Sequence, residues 1–317
     1  MPQRTCLVTG GAGFIGSHIA EALVQRGDAV RVLDNLSTGN RENLAGIEDR
    51  IEFIEGDVND GTAVDETVKG VESVFHQAAL ASVPLSVERP LDSHAACATG
   101  TLCLLDAARR AGVRRVVYAA SSSAYGDQPH ASLRETDPPG PLSPYAAAKL
   151  AGEHYCQAFY HSYGLETVGL RYFNVFGPRQ DPDSPYSAVI PLFLTAMLKG
   201  ERPTIFGDGL QTRDFAFVGN VVDANLLAAE AKGVEGRTLN LANGRSTDLL
   251  TLLAVLNKLL ELDVRPIHEP PRAGDVRDSL ADISLARRLL GYEPRVGFEE
   301  GLRRSIDYYQ SLVAKMA

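Results

Sequence analysis

The segment TGGAGFIG, at residues 9–16, limits the possible folds of this chain more than any other. It lies between a short aliphatic run of strand character and an amphipathic helical pattern. Gly10 permits a tight turn, Gly13 lets the backbone approach a pyrophosphate, and Gly16 lets helix and strand pack closely. Free N–H groups at the start of the helix would then face an anion. The segment therefore predicts a dinucleotide site in a strand–turn–helix unit.

Strand-like and helical patterns alternate through the first half of the chain, which predicts a parallel sheet covered on both faces. With the glycine turn, this indicates an α/β fold of the Rossmann type, a doubly wound parallel sheet. The predicted strands are Thr5–Thr9, Ala29–Asp34, Ile51–Glu55, Ser73–Gln77, Arg115–Ala120 and Glu166–Arg171. The predicted helices include Phe14–Gln25, Leu91–Ala111 and Pro144–Ser162.

The pattern becomes irregular after residue 177, where Pro and Gly interrupt it repeatedly. One further β-like run, Arg237–Asn243, predicts a strand that returns to the sheet. We therefore expect a dinucleotide-binding domain at residues 1–177, with its returning strand near 237–243. A smaller, mostly helical C-terminal substrate domain is expected from residues 178–236 and 244–317.

Charge and cysteine content limit the partners of the protein. A net charge of −9 argues against nucleic acid and against an anionic membrane surface. No apolar stretch has the length of a membrane span, and we expect no signal peptide before the first strand. The four cysteines show neither CxxC pairs nor metal-ligand spacing. We therefore expect a cytoplasmic protein with reduced thiols and no metal.

An acidic residue at the end of the second predicted strand indicates which dinucleotide binds. Asp34 follows Gly16 by 18 residues, where a carboxylate accepts hydrogen bonds from ribose hydroxyls and repels a 2′-phosphate. NAD is therefore favoured over NADP. The expected cofactor contacts come from the glycine turn and from later strand ends: Gly10, Gly13, Phe14, Ile15, Gly16, Asp34, Asn35, Ser37, Thr38, Gly39, Asp57, Val58, Gln77, Ala78, Ala79, Tyr145, Lys149, Tyr172 and Val175.

The segment SPYAAAK places Tyr145 and Lys149 one helical turn apart. A tyrosine ionises near pH 10 in water, roughly three units too high for a base at neutral pH. Lys149 favours the phenolate, and so does the positive charge of oxidised nicotinamide. Serine with Tyr-x-x-x-Lys is the set needed to move a proton on a sugar hydroxyl during hydride transfer. The candidate serines end the fifth predicted strand: Ser121, Ser122 and Ser123.

The chain resembles the extended short-chain dehydrogenase/reductase family over essentially its whole length, and these motifs follow one another in the order that the family has. It is most similar to the nucleotide-sugar 4-epimerases, and among them to UDP-N-acetylglucosamine 4-epimerases. The resemblance implies a UDP-sugar substrate, Tyr145 as base and Lys149 as its partner. It implies a catalytic serine, for which Ser121 is favoured and Ser122 is next. Implied substrate contacts are Ser82, Ser121, Ser122, Ser123, Tyr145, Asn174, Val189, Arg213, Arg272, Asp275 and Ser279.

The resemblance also assigns roles within that set. Asn174, Arg213 and Arg272 are similar to the residues that bind the substrate diphosphate, because guanidinium groups suit phosphate. Asp275 resembles the carboxylate on the uridine ribose, and Val189 lies in the segment that lines the uracil pocket. Ser279 matches a gate over the hexose, where a small residue leaves room for an N-acetyl group.

Two further expectations come from the helices. Relatives carry an asparagine where this chain has Cys97, so a contact near the active site is expected to differ here. Helices Leu91–Ala111 and Pro144–Ser162 form an intersubunit four-helix bundle in the family, which implies a homodimer. The same apolar faces could instead be buried against their own sheet.

The leading interpretation is epimerisation at C4 of a UDP-hexose through a 4-keto intermediate, with NAD regenerated in each turnover. UDP-GlcNAc and UDP-GalNAc are favoured, UDP-glucose and UDP-galactose are further substrates, and UDP-glucuronate 4-epimerase is the alternative. A dehydratase usually has an Asp-Glu pair after the fifth strand, and a decarboxylase a glutamate, whereas this chain has Ser122, Ser123 and Ala124. A non-catalytic dinucleotide sensor would typically have lost Tyr145 or Lys149.

Overall fold

The structure is a computed structural model that describes residues 4–182, 188–271 and 277–316. Its strands and helices follow the apolar periodicity of the sequence. The strands are β1 Thr5–Thr9, β2 Ala29–Asp34, β3 Ile51–Glu55, β4 Ser73–His76, β5 Arg115–Ser121, β6 Ser132–Leu133, β7 Glu166–Tyr172, β8 Asn174–Phe176, β9 Thr204–Phe206, β10 Thr212–Phe217, β11 Arg237–Leu241, β12 Ser246–Asp248, β13 Ile267–Glu269 and β14 Leu280–Ala281. The helices are α1 Phe14–Arg26, α2 Gly61–Thr67, α3 Val83–Glu88, α4 Pro90–His94, α5 Gly100–Ala111, α6 Pro144–Tyr163, α7 Val189–Leu198, α8 Val218–Glu230, α9 Leu249–Leu260, α10 Ser284–Leu290 and α11 Phe298–Met316.

A seven-stranded sheet lies at the centre, with the order β11-β7-β5-β4-β1-β2-β3. All neighbouring strands in it are parallel. The six predicted strands are present with ends within one residue of the prediction, and β11 is the predicted returning strand. The order reverses between β1 and β4, and ligands of such sheets bind at this point, beyond the carboxyl ends of the strands.

Helices cover both faces of the sheet, as its continuous burial requires. On one face α1, α8 and α10 contribute Ile19, Leu23, Val221 and Leu290 to an apolar core. On the other face α2, α5 and α6 contribute a second core that includes Leu104 and Phe159. The predicted doubly wound α/β fold is therefore confirmed.

A third apolar core lies outside the central sheet. Helices α7, α9 and α11 pack around short strands, with Phe176 and Phe217 in edge contact at 5.8 Å between ring centroids. These strands form small sheets that the irregular pattern did not predict, in the orders β12-β10-β8, β13-β9 and β14-β6. The segment 178–236 also contains α8, which packs mainly on the central sheet and contributes Val218 at its start to this third core.

The predicted helix Leu91–Ala111 contains a π turn at Ala95–Thr99, between α4 and α5. Side chains tie the turn to the sheet. The Thr101 hydroxyl donates to the carbonyl oxygen of Cys97 at 2.7 Å, and it lies 2.9 Å from Nε2 of His76. π turns are rare in proteins and are often found at functional sites. In the described residues, no helix is long and apolar enough to cross a membrane.

Candidate active site

The glycine turn has the geometry that a pyrophosphate site requires. Gly10 has φ of 65°, in the left-handed region that favours glycine. A Cβ atom at Gly16 would overlap the carbonyl oxygen of Gly10. Helix α1 follows Gly13 with no side-chain cap, so its first N–H groups are available to an anion.

Asp34, at the end of β2, lies buried beside this turn. Its carboxylate accepts the N–H groups of Ala12 at 2.9 Å and Leu36 at 2.8 Å. Burial raises the pKa of this carboxyl group, while both backbone hydrogen bonds lower it. A carboxylate accepts about four hydrogen bonds, so acceptor capacity remains for ribose hydroxyls. A Cβ atom at Gly39 would lie 2.8 Å from Oδ1 of Asp34, which shows how closely the next loop approaches it.

Other predicted cofactor residues lie at neighbouring strand ends. Asn35 donates to the carboxylate of Asp57 at 2.7 Å and accepts from the Ser37 backbone at 3.1 Å. The N–H of Ala78 lies 3.4 Å from the hydroxyl of Thr9. These loops surround the carboxyl ends of β1, β2 and β4, and the donors and acceptors present there fit NAD.

Tyr172 differs from its neighbours because its hydroxyl is already engaged. It donates to Gln77 at 3.3 Å, and it lies 2.8 Å from Nδ2 of Asn225 in α8. Burial raises the pKa of Tyr172 to about 12. Its ring, rather than its hydroxyl, is therefore the part available to a cofactor.

Tyr145 and Lys149 lie in the first two turns of α6, which begins after the Ser143 side chain caps the N–H of Ala146 at 3.2 Å. Lys149 is buried, with its Nζ atom 4.7 Å from the ring centroid of Tyr118. Burial raises the pKa of Tyr145, and nearby Cys97 adds to the rise, whereas a hydrogen bond with Ser121 lowers it. Burial also lowers the pKa of Lys149. Burial thus disfavours a phenolate at Tyr145 and an ammonium group at Lys149.

The structure separates the three candidate serines. Ser121 ends β5 and is the serine whose side chain influences the Tyr145 phenol. Its Oγ lies 2.8 Å from Oγ of Ser123 and accepts the Ser123 N–H at 3.2 Å. Ser122 begins the 3-10 turn that follows. This arrangement favours Ser121 as the serine that acts with Tyr145.

His76 is fully buried between two hydroxyl groups, those of Thr9 at 2.7 Å and Thr101 at 2.9 Å. Burial, with a smaller contribution from the charge of Lys149, lowers its pKa to about 3. His76 is therefore a neutral residue that links β1 and β4 to the π turn.

The predicted substrate residues lie on several loops. Ser82 caps α3 by accepting the Leu85 N–H at 3.2 Å, and Asn174 begins β8. Val189 begins α7. Arg213 donates to the carbonyl oxygen of Thr212 at 2.8 Å.

Ser279 immediately precedes β14 and is partly buried. Arg272 and Asp275 lie outside the described residues.

Two charged residues that lie near Tyr145 and Lys149 were missed in the sequence. Glu153 follows Lys149 by four residues in α6, and Arg171 is the next-to-last residue of β7. They form a buried ion pair at 2.8 Å. A glutamate one turn after Lys149 and an arginine within an apolar strand were the signals available in the sequence.

Comparison with known proteins identifies the family. Residues 6–242 match the model described as the NAD dependent epimerase/dehydratase family. The chain belongs to this family. A UDP-glucose 4-epimerase of Mycolicibacterium smegmatis is 39% identical, covering 96% of this chain and 98% of that protein.

Solved structures of relatives superimpose over nearly the whole chain. A UDP-N-acetylglucosamine 4-epimerase from Methanobrevibacter ruminantium, in complex with UDP-N-acetylmuramic acid, has a TM-score of 0.94 at 41% identity, covering 98% of this chain and 100% of that one. A Thermus thermophilus UDP-glucose 4-epimerase in complex with NAD has a TM-score of 0.87 at 39% identity, with 96% and 99% coverage. Proteins named UDP-glucuronate 4-epimerases also match.

These findings confirm the predictions of an NAD cofactor and of an NAD-dependent UDP-sugar 4-epimerase, which is an isomerase. They do not distinguish among the UDP-sugars. The roles of the individual site residues remain predictions that the geometry above supports.

Proposed function

We propose that this protein interconverts UDP-GlcNAc and UDP-GalNAc by epimerisation at C4, with UDP-glucose and UDP-galactose as further substrates. The observation that carries the proposal is the Tyr145 phenol, which interacts with the Ser121 side chain and lies one helical turn from buried Lys149. This acid–base set lies at the same edge of the sheet as the glycine turn and Asp34.

Each residue has a defined task in this reaction. Tyr145 takes the proton of the sugar 4-hydroxyl and later returns it, while Ser121 holds that oxygen by a hydrogen bond. Lys149 supplies the positive charge that favours the phenolate. NAD, when bound at the glycine turn, supplies the hydride chemistry at C4. Asn174, Arg213, Arg272 and Asp275 are proposed to hold the nucleotide diphosphate and ribose while the 4-keto sugar turns over.

The choice of N-acetylated sugars is based on Ser279. A serine is small, so the hexose site keeps room for an acetamido group at C2. Val189 is proposed to line the uracil pocket, and Ser82, Ser122 and Ser123 to surround the hexose. UDP-glucuronate remains the second candidate substrate, because it requires no additional catalytic side chain and proteins named UDP-glucuronate 4-epimerases match the chain.

A panel of UDP-sugars tests the proposal. Purified protein is incubated separately with UDP-GlcNAc, UDP-glucose and UDP-glucuronate without added reductant, and the products are resolved by NMR. We expect UDP-GalNAc from the first and UDP-galactose from the second. Tyr145→Phe should lower turnover by a factor of at least about 10², the lower range for general acid–base catalysis, while NAD stays bound. Activity on UDP-glucuronate alone would overturn the substrate assignment but leave C4 epimerisation intact.

A homodimer and a cytoplasmic location complete the proposal. A groove of about 620 Å³ runs between α5 and α6, and its lining includes Leu102, Cys103, Tyr155 and Tyr163. Tyr155 and Tyr163 are 38% and 57% exposed, and together with Leu102 they line one continuous groove, the kind of patch that marks an interaction site. A second copy that presents the same two helices would cover this groove as a four-helix bundle. The four free thiols support a reducing compartment.

A further inference from the structure

A buried ion pair lies directly behind the acid–base pair. Glu153 and Arg171 are 5% and 6% exposed, respectively. Nε of Arg171 donates to both carboxylate oxygens of Glu153, at 3.0 and 3.1 Å, and Nη2 donates at 2.8 Å. Glu153 follows Lys149 by one turn of α6, so the two side chains leave the same side of the helix.

Arg171 also connects the elements that carry the catalytic groups. Its guanidinium carbon lies 4.5 Å from the ring centroid of Tyr125, which ends the turn that begins after Ser121. The Tyr125 hydroxyl donates to Asn240 of β11 at 2.6 Å. Arg171 thus links helix α6, which carries Tyr145, to the turn beside Ser121.

A buried ion pair is a costly way to stabilise a fold. Nη1 of Arg171 is buried and has no hydrogen-bond partner among the described residues. Burying two charges costs desolvation energy, and well-packed apolar residues often stabilise a fold as well or better. A buried donor without a partner adds to that cost. The pair therefore calls for a functional explanation.

The groups around Lys149 supply a functional explanation for the Glu153–Arg171 pair. The groups that face it are Tyr145, Glu153 and Cys156 from α6, Tyr118 from β5, His76 from β4 and Cys97 from the π turn. Burial raises the pKa of Tyr118 and Cys156 and lowers that of His76, so these groups are neutral. Cys97, Cys156 and then Glu153 raise the pKa of Lys149 against the effect of burial, and Glu153 is the one carboxyl group among these three.

We propose that Glu153 and Arg171 are positioning residues that set the charge state of Tyr145 and Lys149. Glu153 keeps the Lys149 ammonium protonated in a buried site. Arg171 offsets part of the negative charge of Glu153, so that the Tyr145 phenolate can form nearby. This inference rests on the proposed function only in taking Tyr145 and Lys149 as the acid–base pair.

The proposal predicts that loss of the Glu153 charge and loss of the Arg171 charge shift the pKa values of Tyr145 and Lys149 in opposite directions. Removing the negative charge of Glu153 lowers the pKa of both Tyr145 and Lys149, because it favours the less protonated form of each. Removing the positive charge of Arg171 raises both. A bell-shaped pH–rate profile should therefore move as a whole, downward in one variant and upward in the other.

The experiment measures kcat for UDP-GlcNAc epimerisation against pH in the NAD-loaded protein. Glu153→Gln should move both limbs of the profile down, and Arg171→Met should move both up, by about one to two pH units, the size expected for a charge roughly 6–12 Å away at an effective dielectric constant near 20. Arg171→Lys and Glu153→Asp keep the charges, so their profiles should become lower in height but stay at the wild-type pH.

Glu166→Gln is the matched control. Glu166 begins β7, at the opposite end of the strand, and accepts from the buried Arg115 at 2.9 Å. Its loss should lower thermal stability without moving the profile. Profiles of Glu153→Gln and Arg171→Met that lose height without moving would overturn the proposal. So would failure of every neutral variant of the pair to fold while Glu166→Gln folds, because the role of the pair would then be structural.

A second measurement does not need turnover. The ultraviolet absorbance of each NAD-loaded variant, minus that of the same variant carrying Tyr145→Phe, reports ionisation of the Tyr145 phenol alone. The phenol pKa should fall in Glu153→Gln and rise in Arg171→Met. A wild-type protein inactive on every UDP-sugar would count against the proposed function, and this titration would still decide on the pair.

Discussion

At the residue scale, the site shows how neighbours rather than residue type set reactivity. Tyr118 and Tyr145 carry the same phenol, and both are strongly influenced by burial. Tyr118 donates to the backbone oxygen of Lys149 at 3.1 Å, so its hydroxyl is committed to structure. Tyr145 instead meets Ser121, whose hydrogen bond lowers the phenol pKa. Only Tyr145 therefore combines a hydroxyl partner with a place at the strand ends.

Ser279 carries the prediction on substrate choice. Ser279→Tyr should abolish turnover of UDP-GlcNAc by steric overlap with the acetamido group and spare UDP-glucose. Overlap discriminates more sharply than one missing methylene, which is worth about 1–3 kcal/mol. The measurement is kcat/KM for both substrates, with Ser279→Ala as the control that stays small. Equal losses on both substrates would show that Ser279 is not the gate.

At the element scale, Asp214 forms hydrogen bonds that connect separate strands. It lies in β10 with no exposed surface, and it accepts the N–H groups of Asn243 at 2.9 Å, Gly244 at 3.0 Å and Ala281 at 3.2 Å. The first two donors follow β11 and the third belongs to β14. One carboxylate thus links the end of β11, in the central sheet, to the short strands β10 and β14 outside it.

Asp214→Ala should lower the free energy of unfolding by roughly 3 kcal/mol, because it leaves one buried and two partly buried N–H donors without their acceptor. Chemical denaturation measures the loss. The control is Asp208→Ala, which removes an exposed ion pair with Arg277 at 2.9 Å and should change stability little. Equal effects of the two substitutions would contradict the structural role of Asp214.

The loss of stability in Asp214→Ala should depend on pH. Burial raises the pKa of Asp214 to about 6, although its backbone hydrogen bonds lower it. The folded protein therefore holds this proton more tightly than the unfolded chain, and the contribution of Asp214 to stability declines as pH rises from about 4 to about 6. The difference between wild type and Asp214→Ala should be larger at the acidic end of this range than at neutral pH.

At the scale of the whole molecule, the central sheet buries both of its faces, but the outer surface of α5 and α6 remains apolar in places. If this surface is the proposed dimer interface, sedimentation should give wild-type protein a mass of twice 34.1 kDa. Tyr155→Arg places a charge in the interface and should give monomers at micromolar concentration. Leu210→Arg is the control, since Leu210 is 53% exposed in the loop between β9 and β10. A wild-type monomer would exclude the bundle.

The sequence alone determined the elements and the chemistry that depend on local spacing. Strand and helix periods, the glycine turn, Asp34 at the end of β2 and the four-residue step from Tyr145 to Lys149 are short-range patterns. Backbone geometry translates such patterns directly into structure, which explains why the predicted strands agree with the observed ones to within one residue at most ends.

Only the tertiary structure decided which distant groups meet. Ser121, rather than Ser122, contacts Tyr145 because the chain turns into a 3-10 helix directly after β5. The π turn around Cys97 and the pairing of Glu153 with Arg171 were not foreseen. Arg171 lies 18 residues beyond Glu153, and the two meet because α6 packs across β7. Contacts of this kind arise from the packing of complete elements, and no short-range pattern specifies them.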